Sequence, residues 1–144
     1  MEINKDVAMK LWKDIFGDTL WVTDCFGTWI YRDDYGKTDV VRNNRPGGTG
    51  KSYNYGWSVD HIKPVSEFNN ENEATFWNNL EPIHISNNSA KGDKLTFNIN
   101  GVKYQVVKCD ICKKNGQNGY GIMNVATNER VDWKYTQNSY YAEK

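Results

Sequence analysis

A chain of 144 residues with 38% hydrophobic and 25% charged side chains has enough apolar material for one folded domain with a modest core, which excludes a disordered or fibrous polymer. Its 18 basic residues balance its 18 acidic ones, so a broad nonspecific grip on nucleic acid is not expected, although a local basic patch is allowed. Three cysteines are not a disulfide framework, and no apolar run approaches the roughly 18 residues of a membrane span.

Residues 4–16 have helical periodicity. Val7, Leu11 and Ile15 recur on one face with Ala8 and Trp12 beside them, between a capping Asn4 and a terminating Gly17. This face should pack on a later sheet. Trp21–Thr23 and Thr28–Tyr31 form a candidate hairpin around Gly27, followed by a turn at residues 33–36. Residues 42–54, with Pro46-Gly47-Gly48 and Gly50, are expected to be a loop. It carries Arg42, Arg45 and Lys51 with no acid between them, either as a flexible substrate-binding arm over the site or as an ordinary solvated loop.

Tyr55, Trp57 and Val59 alternate with Gly56, Ser58 and Asp60, which predicts a half-buried strand leading into Asp60-His61 and ended by Pro64. A polar excursion over 66–77 should include one helical turn at Glu73–Trp77. Leu80–Ile83 predicts a short second strand, confined to an edge by Pro82. A short helix is expected from Ser86 to Lys91. Beyond it, Lys94–Asn98 and Val102–Lys108 form a hairpin through Asn100-Gly101, residues 113–121 a Gly/Asn-rich loop, and Val125–Trp133 a helix. No signal peptide opens the chain, so the expected location is cytoplasmic, or that of a phage or bacterial effector delivered without one.

The chemistry-bearing residues fall between these elements. Asp60 is a hard oxygen ligand, and His61 beside it is a base at neutral pH. Neighbours on a regular strand point to opposite faces, so both can address one site only where the strand ends and bends. Asn88 offers a neutral oxygen ligand or, alternatively, a helix cap. With Asp60 it would leave a cation largely water-coordinated, which suits Mg²⁺ or Mn²⁺ better than structural zinc. Lys91, three residues on, shares a helix side with Asn88 and could neutralise a phosphate. The amide of Asn79 could hold the loop bearing His61 and fix the ring's angle or tautomer. His84 is expected to be a hydrogen-bonded structural residue. Cys109 and Cys112 have metal-ligand spacing but no second pair, and are expected to be structural.

The stretch from Trp57 to Asp93 resembles the HNH endonucleases of bacteria and phage, in the Asn-ending form. The match lies in Asp60-His61, Asn79-Leu80, and Asn88 with Lys91, together with Gly56-Trp57 and Lys63-Pro64-Val65-Ser66. The resemblance implies an α+β fold with a ββα-metal (His-Me finger) core at 55–93 in a single domain of 1–144, with an added N-terminal helix and flanking hairpins. It also implies Mg²⁺-dependent hydrolysis of DNA that leaves 5′-phosphate and 3′-hydroxyl ends. Asp60 and Asn88 would be metal ligands, His61 the general base, Asn79 its orienting residue and Lys91 the trailing lysine. The expected partners are DNA and, for double-strand breaks, a second copy or a partner protein. Where relatives carry half of a zinc site just before the last ligand, this chain has His84 and Asn87. Asn87 also competes with Asn88, and the spacing favours Asn88. Two other functions share these residues: a noncatalytic nucleic-acid- or protein-binding domain that keeps the shell, and a delivered toxin nuclease neutralised by an immunity protein.

Overall fold

A computed structural model describes residues 1–114 and 117–133, with side chains outside 110–118. Helix α1 (Lys5–Phe16) forms as expected: Asn4 Oδ1 accepts the Val7 N–H at its start, and Gly17, at φ 66°, ends it where a side chain would be strained. The hairpin β1 (Trp21–Thr23) and β2 (Trp29–Tyr31) follows. After a 3₁₀ turn and the long loop come β3 (Trp57–His61), the short helix α2 (Glu71–Ala74), β4 (Leu80–His84) and α3 (Ile85–Lys91). An antiparallel sheet of β5 (Thr96–Ile99), β6 (Val102–Lys114) and β7 (Gln117–Asn124) closes the described fold. The class is α+β. No helix among the described residues is long and apolar enough to cross a membrane.

The β3–β4 pair is the centre of the molecule, and its pleat sorts the side chains. Trp57 and Val59 pack with Leu80 against Leu11, Trp12 and Ile15 of α1, and the Trp12 and Trp57 rings lie 4.9 Å apart. Ser58 and Asp60, at the alternate positions, instead meet Asn88 and Lys91 of α3. Pro82 stands opposite Val59 on a strand with one neighbour, so its missing N–H can face away from the ladder. A second core gathers Ile62, Phe97, Ile99, Tyr104 and Ile122 under the last sheet.

Three expectations need correction. The helical turn of the polar excursion starts at Glu71 rather than Glu73, because Asn70 Oδ1 caps it by accepting the Glu73 N–H. Residues 117–121 are strand rather than loop. Their glycines are places of close approach: a Cβ on Gly119 would overlap Asn78, and one on Gly121 would overlap the Arg130 guanidinium. Residues 125–132 are not helical. Asn128 sits at φ 59°, Met123 bridges to Arg130, and Asp132 accepts from both the Ile122 N–H and Arg130. Gly119→Ala should therefore cost about 1–3 kcal/mol by overpacking, read as a lower urea midpoint, although alanine suits a strand better than glycine.

Candidate active site

β3 ends at His61, and the chain turns there. Asp60, His61 and Asn88 all line one cavity of about 240 Å³, together with Val59, Pro64, Val65, Ser66, Gly92 and Asp93. Asp60 and His61 are the last two residues of β3, paired with Glu81 and Leu80, and both line this space.

Each polar group is held. Asn88 Nδ2 donates to Ser58 Oγ at 2.7 Å, which leaves Oδ1 as the end available to a ligand. Asn87, its rival, is buried; its Nδ2 donates to Asp24 Oδ2 and Thr28 Oγ1, which commits it to the fold. Asn88 is not the helix cap either. That role belongs to His84, whose Nδ1 accepts the Ser86 N–H while Nε2 donates to the Asn54 carbonyl. His84 is structural, with both ring nitrogens occupied. The backbone N–H of His84 reaches Asp24 Oδ2, so this one carboxylate ties α3 to the β1–β2 hairpin.

Asn79 is fully buried and clamps the backbone just past His61: Oδ1 accepts the Lys63 N–H and Nδ2 donates to the Lys63 carbonyl. The same Nδ2 donates to the Ala74 carbonyl, so one amide fixes both the His61 turn and the end of α2. The His61 ring meets Thr75, with Nε2 2.8 Å from Oγ1. Burial lowers the imidazole pKa below its ordinary 6.5; the Glu71 charge opposes this and the Lys91 charge adds to it. The ring is consequently neutral, the form of a base, at neutral pH.

The phosphate-neutralising role expected of Lys91 needs correction. Its side chain is fully buried, 3.2 Å from Asp60 Oδ2 and 3.0 Å from the His61 carbonyl oxygen. The ammonium is spent on holding Asp60 and the strand end, and does not face the cavity opening. The substrate arm is also placed differently. Arg42 makes a two-pronged pair with the buried Asp34 at 2.8 and 2.7 Å and stacks on Tyr31, which pins the loop rather than freeing it. Arg45 stacks on Trp29 beside a separate cavity lined by Tyr53, Tyr55 and His84. Lys51 is exposed on the same loop. The structure therefore brings together Asp60, His61, Asn79, Asn88 and Lys91, but not Arg42, Arg45 and Lys51.

Ser58 and Thr75 were missed by sequence reasoning. Ser58 was legible in principle, as the position two before Asp60 on the same strand face. Thr75 had no local signal, since its partner is 14 residues away across a loop.

Among the described residues, no three His, Cys, Asp or Glu side chains form a metal cage. The oxygen-bearing side chains lining the cavity include those of Asp60 and Asn88, with Asp93 and Ser66 also in the lining, and such hard oxygen donors fit a cation completed by water and phosphate. Among the described residues Cys25 is a free thiol and Cys109 is disulfide-bonded, while the side chain of Cys112 lies outside the described residues. Compared with protein families, curated proteins and solved structures, the chain has no match in any of the three.

Proposed function

We propose that this protein is a metal-dependent endonuclease that hydrolyses DNA phosphodiesters, built on a ββα-metal core formed by β3, β4 and α3. The observation that carries the reading is the opening of Asp60, His61 and Asn88 on one cavity, with the imidazole neutral beside two oxygen donors. Asp60 and Asn88 would hold Mg²⁺ or Mn²⁺, which when bound supplies a Lewis acid for the phosphoryl oxygen and the departing 3′ oxygen. His61 takes the proton of the attacking water. Asn79 keeps the turn after His61 in place, Ser58 aims the Asn88 oxygen, and Lys91 holds the Asp60 carboxylate. The products are a 5′-phosphate and a 3′-hydroxyl, and one such site nicks one strand.

The reading is tested by incubating supercoiled plasmid with the protein in Mg²⁺, in Mn²⁺ and in EDTA. Metal-dependent nicks that a ligase can reseal support it. Plasmid left intact in every metal by folded protein refutes it. The nicking rate should rise with pH through a midpoint below the ordinary histidine value of about 6.5 and be flat by neutrality, because the base must be unprotonated and burial lowers its pKa. A midpoint above that value would exclude His61 in this environment as the base.

A noncatalytic nucleic-acid- or protein-binding domain that retains this shell is the second reading. The buried Lys91–Asp60 pair, which already satisfies the carboxylate's charge, and the balanced net charge both favour it.

A further inference from the structure

Thr75 is 4% exposed and ends α2 directly beneath His61. Its Oγ1 lies 2.8 Å from His61 Nε2 and 2.8 Å from the Glu71 carbonyl oxygen. A hydroxyl has a single proton, and a carbonyl oxygen can only accept, so that proton goes to Glu71. Toward His61 the hydroxyl then presents lone pairs alone, and Nε2 must be the protonated nitrogen. In a neutral imidazole this leaves the lone pair on Nδ1.

We propose that Thr75 is a positioning residue that locks His61 in its Nε2–H tautomer and so makes Nδ1 the atom that takes the water's proton. The platform is well fixed. Asn70 caps α2, the Thr75 N–H donates to the Asn72 carbonyl, and Asn79 grips the Ala74 carbonyl from the opposite side. Asn79 thereby sets the distance between Thr75 and the turn that carries the imidazole, and Thr75 sets which nitrogen is free. The catalytic consequence rests on the nuclease reading, whereas the tautomer does not.

Histidine-selective ¹⁵N labelling reads the tautomer directly, without metal and at a pH where the ring is neutral, with the spectrum of His61→Ala identifying the His61 signals. Wild type and Thr75→Ser should show a protonated Nε2 and an unprotonated Nδ1. In Thr75→Val the two nitrogen shifts should move toward each other as the tautomers mix. Thr75→Val should also lose about 10–100-fold in kcat, the usual cost of removing a group that orients a site residue, with KM for plasmid little changed, while Thr75→Ser stays near wild type. A merely structural role as the end of α2 predicts loss of stability with the tautomer unmoved. The proposal is overturned if wild type carries its proton on Nδ1, or if folded Thr75→Val keeps the wild-type tautomer. Should Thr75→Val fail to fold, Thr75→Ala takes its place with the same expected mixing of tautomers, and a wild-type proton on Nδ1 still overturns the proposal. A wild type in the Nε2–H form that never nicks DNA overturns the nuclease reading and the catalytic consequence with it.

Discussion

If the protein is the proposed nuclease, His61→Ala should nick plasmid about 10²–10⁴-fold more slowly than wild type, the loss expected when a general base is removed from an otherwise intact site. The fold should survive this change. The ring is only half-buried, its hydrogen-bond partner among the described residues is the Thr75 hydroxyl, and the backbone just past it is held by Asn79 rather than by the imidazole. Circular dichroism and a cooperative thermal melt establish that the variant is folded. Folded His61→Ala that nicks at the wild-type rate would remove the imidazole from the mechanism. Any residual cutting should still need the divalent ion, because Asp60 and Asn88 remain.

The largest expected stability effect is at Lys91. The side chains of Lys91 and Asp60 are 0% and 5% exposed, 3.2 Å apart. Replacing the lysine with methionine keeps much of the aliphatic volume but removes the ammonium that lies over Phe97 and strips the carboxylate of its cation. Breaking one side of a buried ion pair costs about 3–5 kcal/mol, and urea titration should show it. Asp60→Asn combined with Lys91→Met should cost less than Lys91→Met alone, since no buried charge is left behind. Saturating Mg²⁺ should raise the urea midpoint of Lys91→Met and leave that of the double variant where it was, because only the former offers a carboxylate. A loss below about 1 kcal/mol in Lys91→Met would place the pair in the range of solvent-screened surface pairs.

The parts of this fold that were legible in the sequence are those governed by local chemistry. Asn4 and Gly17 bound α1 because a side-chain cap and a positive φ are properties of single residues. Asn100-Gly101 marks the β5–β6 turn for the same reason, both residues having positive φ. Tyr55, Trp57 and Val59 are buried as their alternation suggests, although Gly56 and Asp60 at the alternate positions are buried as well. β7 was hidden because its glycines are selected by what presses on them, Asn78 and Arg130, and no local rule carries that information. The stretch after it has helix-compatible residues, but Asp132 is pulled away to the Ile122 N–H.

The candidate site divides in the same way. Asp60, His61, Asn79 and Asn88 could be picked out because their residue types and spacing have few other uses. The charge of Lys91 was evident, yet its target was not, since spacing along a helix says nothing about whether an ammonium meets solvent or a buried carboxylate. Arg42 was misplaced for a related reason. Its partner Asp34 precedes the loop, so one cation of a segment with no acid of its own is nonetheless neutralised. Ser58 and Thr75 act through hydrogen bonds that span 30 and 14 residues, which makes them properties of the fold.

The nuclease reading stands on a cation seated between the Asp60 carboxylate and the Asn88 side-chain oxygen. A crystal of the protein grown or soaked with Mn²⁺ and a short DNA duplex, measured at a wavelength where manganese scatters anomalously, locates that ion without reference to activity. One anomalous peak within coordination distance of both side chains, next to the His61 ring, is the predicted result. DNA bound across the cavity with no peak there, at full manganese occupancy elsewhere in the crystal, would contradict it.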